Sequence, residues 1–205
     1  MQTSANACGQ TGLSVPLSRQ LIDTKGTNTM TLFLYEFTPA QSDRPAVDAL
    51  LKTLDTEIHR HGGELIEAQV TASADRVFAV SEFTSGPPSL DASALDVSEI
   101  DGPHPVRLVG PQLSELKALR PSAGYLVEWD LPDGLDMDSY LARKRANSPK
   151  YAQVPETSFL RTYVREDMDK CLCLYDAPDE DAVRRARQAV ETPFDRLHGL
   201  QGPLL

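Results

Sequence analysis

Four residues in the second half of the chain are suited to moving a proton on a small organic molecule. Arg161 and Tyr163 stand in the run SFLRTYV, Tyr175 in KCLCLYDAP, and Glu128 in GYLVEWDLP. A carboxylate or a phenol can transfer a proton, and a guanidinium can stabilise an anion that develops beside it. Glu128, Arg161, Tyr163 and Tyr175 are therefore the candidate catalytic residues, with Glu128 or Tyr163 as the proton-transfer group.

Alternation along the strands predicts which side chains share a face, because successive residues of a strand point to opposite sides. On this basis a polar face of the hairpin carries Arg161, Tyr163, Cys171, Cys173 and Tyr175. The opposite face is mostly apolar and should pack under helices; it carries Leu160, Thr162, Val164, Leu172 and Leu174. In the first half the matching polar face carries Glu67, Gln69, Ala79 and Ser81, opposite Ile66, Ala68, Val70, Phe78 and Val80.

Each candidate also has a purely structural interpretation. Tyr163 and Tyr175 can be a packed cross-strand pair, and Arg161 can neutralise Glu128 or Glu67 without touching a ligand. The alternation leaves Glu128 open as well, since its neighbours Val127 and Trp129 could equally be the buried pair.

The thiols and imidazoles give little support for a metal site. Cys171 and Cys173 project to the same side of one strand, as two ligands could, but free cysteine is commonly a small buried hydrophobe. Among the four histidines, His59 and His61 end a helix at a spacing that points them apart. No nucleophile elbow, P-loop or dinucleotide-binding glycine motif occurs, so we predict no cofactor and no metal ligand from the residues.

The candidates depend on strands whose order the hydrophobic pattern predicts. In the first half, the strand TLFLYEF precedes a helix with apolar residues at Val47, Leu50, Leu51, Leu54 and Ile58. ELIEAQV and RVFAVSEF form an antiparallel hairpin, and PVRLVG closes the unit after a weakly helical or irregular stretch. The order β-α-β-β-α-β is typical of ferredoxin-like folds.

The second half shows the same order. Residues 64–83 align without a gap on residues 158–177, which is typical of an internal repeat. We predict a flexible tail over 1–29, a first ferredoxin-like domain over 30–110, a linker over 111–122 and a second ferredoxin-like domain over 123–205. Two such units can cover each other by facing their open sheets together. The predicted fold class is therefore α+β, with tandem ferredoxin-like repeats in a dimeric-α+β-barrel-like arrangement and a shielded, semi-polar interior.

Composition limits the partners. The formal net charge of −10 disfavours nucleic acids and anionic membranes, and we expect neither. No apolar run approaches the roughly 20 residues of a membrane helix, and no secretion signal is recognised, so we expect a cytoplasmic protein with reduced thiols. The basic run Arg143, Lys144, Arg145, with Lys150 beyond it, is either a solvated helix face or an anion-binding surface.

The second half resembles a bacterial domain-of-unknown-function family of ferredoxin-like proteins, one branch of which is described as nickel-binding. The resemblance rests on YLVEWDLPDGL, RTYVREDMDKCLCLYDAPDEDAV and PFDRL, and covers about residues 124–200. It implies dimeric α+β barrel architecture, built within one chain or as a homodimer. It implies a divalent metal, nickel, only for relatives with histidine-rich helices, whereas YLARKRANSPKYA and VRRARQAVET contain no histidine. Imidazole suits Ni(II), so no metal ligand is carried over.

Three functions from different classes follow. The first is a small-molecule enzyme or ligand-binding protein of the isomerase, cyclase or cofactor-independent oxygenase type, with its site on the inner sheet face between the repeats. The second is a divalent-metal (nickel) binding protein. The third is a non-catalytic interaction module. The residues alone leave open whether the chain is an enzyme.

Overall fold

A computed structural model describes residues 30–119 and 122–201, so the predicted tail over 1–29 lies outside the described residues. The strands of the first half are β1 (Thr31–Pro39), β2 (Glu64–Val70), β3 (Val77–Phe83) and β4 (Val97–Val109). The strands of the second half are β5 (Tyr125–Asp130), β6 (Ser158–Arg165), β7 (Lys170–Asp176) and β8 (Arg196–Gly199). The helices are α1 (Arg44–Arg60), α2 (Ala92–Leu95), α3 (Leu113–Leu119), α4 (Met137–Asn147) and α5 (Glu180–Ala189), with a 3-10 helix at Ser148–Gln153.

All eight strands form one antiparallel sheet in the order β2-β3-β1-β4-β6-β7-β5-β8. The first four and the last four strands each have the antiparallel order of a ferredoxin-like unit, with the third strand inserted between the first two. The predicted fold class is thereby confirmed. The domain boundaries remain a prediction, and the segment predicted as a linker contains helix α3.

The sheet closes into a barrel in two places. On one side β4 pairs with β6 from Val106↔Arg165 to Val109↔Thr162. On the other side Thr71 forms a bridge with Leu200, flanked by hydrogen bonds from Ala72 N to Gly199 O (2.7 Å) and from Gln201 N to Val70 O (2.9 Å). Closure satisfies the backbone groups that the edge strands would otherwise expose.

Local sequence explains where the long helices begin. Asp43 and Asp179 precede α1 and α5, and each side chain accepts a hydrogen bond from a backbone N–H three residues ahead. Such caps satisfy donors that a first helical turn leaves unpaired. The stretch before β4, predicted as weakly helical or irregular, forms only the four-residue α2. The helix layer is therefore thinner over the first unit.

Apolar side chains form three clusters. One lies between the first unit's strands and α1, and another between the second unit's strands and its helices. The third fills the inside of the barrel with residues from both halves, including Leu32, Leu34, Phe78, Val80, Leu126, Leu172 and Leu174. Leu116 of α3 also packs into this third cluster. Among the described residues, no helix is long and apolar enough to cross a membrane.

Candidate functional site: an interior ion network and a cationic cleft

Arg161 and Tyr163 lie inside the barrel, where the sequence places them. In the pairings with β3 and β7, the register of β2 shifts between Leu65 and Glu67 and that of β6 between Phe159 and Arg161. Beyond these shifts Glu67 and Arg161 meet: Nε of Arg161 donates to Oε1 of Glu67 at 3.1 Å, and Nη2 donates to Oε2 at 2.5 Å. Burial and the Glu67 charge raise the pKa of Tyr163 well above its usual range. A phenol held neutral in this way is a poor proton acceptor.

The side chain of Glu128 also points into the barrel, so the alternative in which Val127 and Trp129 face the interior is wrong. Glu128 belongs to a buried ion network. Nζ of Lys170 lies 3.1 Å from Oε2 of Glu128 and 3.0 Å from Oε1 of Glu36. Nε2 of His198 and Nε of Arg196 approach Oε1 of Glu128 at 2.7 and 3.0 Å. Burial alone would raise the pKa of Glu128, but the hydrogen bonds from His198 and Arg196 and the charge of Lys170 outweigh it and hold the pKa well below its usual range.

Tyr175 lies on the other side of the sheet, and the expectation that it faces the interior is wrong. Val164 pairs with Cys171 and Thr162 with Cys173, so the thiols and Tyr175 share the helix-covered face. The face assignment of β3 in the first hairpin is reversed in the same way. Val70 pairs with Val77, which places Ala79 and Ser81 under the helix layer and Phe78 and Val80 inside the barrel. A one-residue difference in register inverts a whole face. Both faces of β3 and β7 are largely apolar, so the alternation of side chains does not show which face of these strands lies inside the barrel.

The predicted shielded interior is filled by side chains. Leucine, phenylalanine and valine residues from β1, β3, β5 and β7 pack together there, and the interior polar residues pair with one another. The structure therefore brings Glu128, Arg161 and Tyr163 to one interior but surrounds them with packed neighbours.

An open cleft lies instead on the helix-covered face of the second unit, among α4, the 3-10 helix, α5 and the sheet. Its empty space is about 360 Å³, much of which is open to solvent. We call it the cationic cleft; it is lined by Trp129, Tyr140, Arg143, Lys144, Asn147, Ser148, Tyr151, Arg187, Val190 and Thr192. Three lining residues are basic and none is acidic.

The indole of Trp129 is the floor of the cationic cleft. The guanidinium carbons of Arg143 and Arg187 each lie 5.9 Å from the centre of the Trp129 rings, within the range of cation–π attraction. The ring of Tyr140 lies 6.2 Å away. An aromatic floor with cations beside it favours a planar ligand that carries negative charge.

Arg187 is buried without a carboxylate partner in the described contacts. Its Nη1 donates to the hydroxyl of Tyr175 at 3.3 Å and to Sγ of Cys173 at 3.5 Å, and its Nη2 donates to the carbonyl of Pro193. The hydroxyls of Tyr151 and Tyr175 lie 2.9 Å apart, and burial raises the pKa of Tyr151 to about 12. Tyr175 thus orients the guanidinium of Arg187 without itself lining the cleft.

Cys173 sits beneath the same cations. Oγ1 of Thr162 donates to its sulfur at 3.2 Å, and the sulfur of Cys171 lies 4.0 Å away. The hydrogen bond from Cys171, and the charges of Lys144 and Arg187, lower the pKa of Cys173 against the effect of burial. Both thiols are 1% exposed, so they do not line the cleft. They act on its cations only through electrostatic interactions and hydrogen bonds.

Sequence reasoning considered Arg143 and Lys144 only as part of a basic run, and it missed Arg187 and Trp129 as site residues. A signal for Arg187 exists: it stands four residues after Val183 and three before Val190, both on the apolar face of α5. A cation on the buried face of a helix needs partners inside the protein.

Comparisons with known proteins concern mainly the second unit. Residues 125–199 match the family model described as SCO4226-like, nickel responsive protein. No curated protein matches the chain. The solved structure of SCO4226 from Streptomyces coelicolor A3(2) is 17% identical with a TM-score of 0.33, over 38% of this chain and 94% of that chain.

Two longer solved structures are similar over most of the chain. A candidate monooxygenase from Lactobacillus acidophilus NCFM is 11% identical with a TM-score of 0.48, over 85% of this chain and 94% of that chain. A candidate chlorite dismutase, TA0507, is 12% identical with a TM-score of 0.49, over 83% of this chain and 95% of that chain. The family resemblance that the sequence indicates for the second half is confirmed by the match of residues 125–199 to the SCO4226-like family model.

Proposed function

We propose that the protein binds a small organic anion in the cationic cleft of its second unit. The observation that carries the proposal is the charge of the lining: Arg143, Lys144 and Arg187 border the cleft with no acidic residue among its lining side chains. In a chain of net charge −10, such a concentration of positive charge in a concave, aromatic site requires a reason. A bound carboxylate or phosphate can pair with these cations through charge-assisted hydrogen bonds.

The aromatic floor selects among anions. Trp129, Tyr140 and Tyr151 line the cleft, so a planar organic acid gains contact with aromatic rings as well as charge pairing, whereas inorganic phosphate gains only charge pairing. The proposed ligand class is therefore an aromatic or conjugated carboxylate. This site replaces the inner sheet face as the proposed location, because packed side chains occupy that interior.

Trp129 makes the proposal directly testable, since it is the single tryptophan of the chain. Benzoate is expected to change the fluorescence of Trp129 saturably, and the isosteric neutral benzamide to act far more weakly. Arg143→Gln should weaken benzoate binding about tenfold, the equivalent of about 1.4 kcal/mol. The measurement is a fluorescence titration at fixed ionic strength.

Arg145→Gln is the matched control, because Arg145 stands on the same helix but outside the lining. Benzoate affinity should be nearly unchanged in this variant. Equal weakening by both substitutions, or equal responses to benzoate and benzamide, would contradict an anion site. Such a result would favour the non-catalytic interaction module.

Nickel binding is the second candidate through the family name, and the residues do not fit it. Within the matched region the only histidine is His198, whose Nε2 lies 2.7 Å from Glu128 in a network that also holds Lys170 and Arg196. Ammonium and guanidinium groups at that carboxylate already occupy the place that a cation would take. Across residues 30–119 and 122–201, no three His, Cys, Asp or Glu side chains converge as a metal site.

A further inference from the structure

Lys144 differs in its partners from three other described lysines. Lys117, Lys150 and Lys170 each hold a carboxylate at 2.6 to 3.1 Å. Nζ of Lys144 instead lies 3.1 Å from Oγ1 of Thr162 and 3.9 Å from the centre of the Phe159 ring. A hydroxyl and a ring face orient an amine without fixing its proton as firmly as a carboxylate does.

Several elements present titratable or charged groups to Lys144. Helix α5 contributes Arg187, β7 contributes Cys171 and Cys173, and α4 and the 3-10 helix contribute Arg143, Tyr140 and Tyr151. Burial is the main reason that the pKa of Lys144 falls below its usual range; the charge of Arg187 adds to this, and the two thiols oppose it. A larger share of Lys144 is then a neutral amine near pH 7 than for a solvated lysine.

The amine of Lys144 stands at the wall of the cationic cleft, where it can act as a nucleophile once it has lost its proton. Resting on the proposed function, we propose that Lys144 forms an imine with the carbonyl group of a small oxo acid bound in the cationic cleft. The Nζ lone pair attacks the carbonyl carbon, the amine proton passes to the carbonyl oxygen, and loss of water leaves the C=N bond. The neighbouring guanidinium of Arg143 holds the carboxylate of the same ligand.

Reductive trapping tests this role on the full chain. The protein is incubated with pyruvate and sodium cyanoborohydride at pH 7, digested, and the adduct is located by peptide mass spectrometry. Lys144 is expected to be modified at least about tenfold faster than Lys52, which is exposed on α1. Acetaldehyde, a carbonyl compound without a carboxylate, should modify Lys144 with less preference over Lys52.

The outcomes separate this proposal from the one on which it rests. If pyruvate changes Trp129 fluorescence while Lys144 is trapped no faster than Lys52, the imine is overturned and anion binding stands. If pyruvate and benzoate both leave the fluorescence unchanged and no preference for Lys144 appears, both fail. Lys144→Arg, which removes the primary amine, should lose the adduct; an adduct of equal yield elsewhere in this variant would also refute the role.

Discussion

Lys170→Met is expected to lower the free energy of unfolding by about 3–5 kcal/mol at pH 7. Lys170 lies between two carboxylates, 3.0 Å from Glu36 and 3.1 Å from Glu128, whose side chains are 1% and 0% exposed. Removing the ammonium takes away the cation that the two buried carboxylates share and leaves Glu36 with Arg76, and Glu128 with Arg196 and His198. Urea unfolding followed by circular dichroism measures the loss.

Lys150→Met is the matched control. Lys150 pairs with Glu191 at 2.8 Å, but there the carboxylate side chain is 70% exposed. Surface pairs of this kind contribute less than about 1 kcal/mol. A Lys170 variant no less stable than the Lys150 variant would show that the interior network does not stabilise the fold.

The same network sets the response to pH. The pKa of Glu128 is lowered in the folded protein. Its contribution to the free energy of unfolding is therefore present above about pH 4.5, the ordinary pKa of the group, and is lost as the pH falls below that value. The pKa of Lys170 is raised against the effect of burial by Glu36 and Glu128, so its contribution is present below about pH 10.5 and is lost at higher pH. The free energy of unfolding should therefore decrease at acidic pH. The difference in this free energy between wild type and Lys170→Met should become smaller in the same pH range.

Arg161→Met is expected to lower the free energy of unfolding by a similar amount, about 3–5 kcal/mol, because it removes the guanidinium that pairs with the largely shielded Glu67 carboxylate. The Arg161 side chain is 0% exposed and that of Glu67 is 11% exposed. Adding Glu67→Leu should restore much of the stability, since two apolar groups then replace both charges. Differential scanning calorimetry on the single and double variants measures the coupling.

This expectation distinguishes a structural from a catalytic Arg161. The candidate catalytic role requires a variant that folds normally but fails to bind or turn over a ligand. If Arg161→Met keeps wild-type stability and loses benzoate binding, the interior becomes the site and the cationic cleft loses its support. Arg145→Met, on an exposed side chain, controls for the loss of one arginine.

The sequence predicts the fold well because helix and strand periods differ clearly in this chain. Val47, Leu50 and Ile58 mark α1 at helical spacing, and the two hairpins have alternating runs of similar length. The order of those elements is enough to identify two ferredoxin-like units. Pairing of the two units follows because each has one sheet face without helices.

The site was harder to predict because it depends on side-chain direction. Tyr175 was assigned to the inner face by alternation, and the actual pairing of Thr162 with Cys173 reverses it. Alternation places Arg161 correctly and leaves Glu128 open, and whether a charged residue meets a ligand or another residue is not encoded in local pattern. Lys144 gains its environment from Thr162 and Phe159, residues distant in sequence that only folding brings near.

The contact between Glu67 and Arg161 has a consequence for assembly. The two residues stand 94 positions apart, each just past the register shift in the second strand of its unit. If either unit paired with a copy of itself, the symmetric position would hold two glutamates or two arginines, and like charges would meet in the interior. Opposite signs at matched positions therefore favour pairing of one half with the other over pairing of either half with a copy of itself.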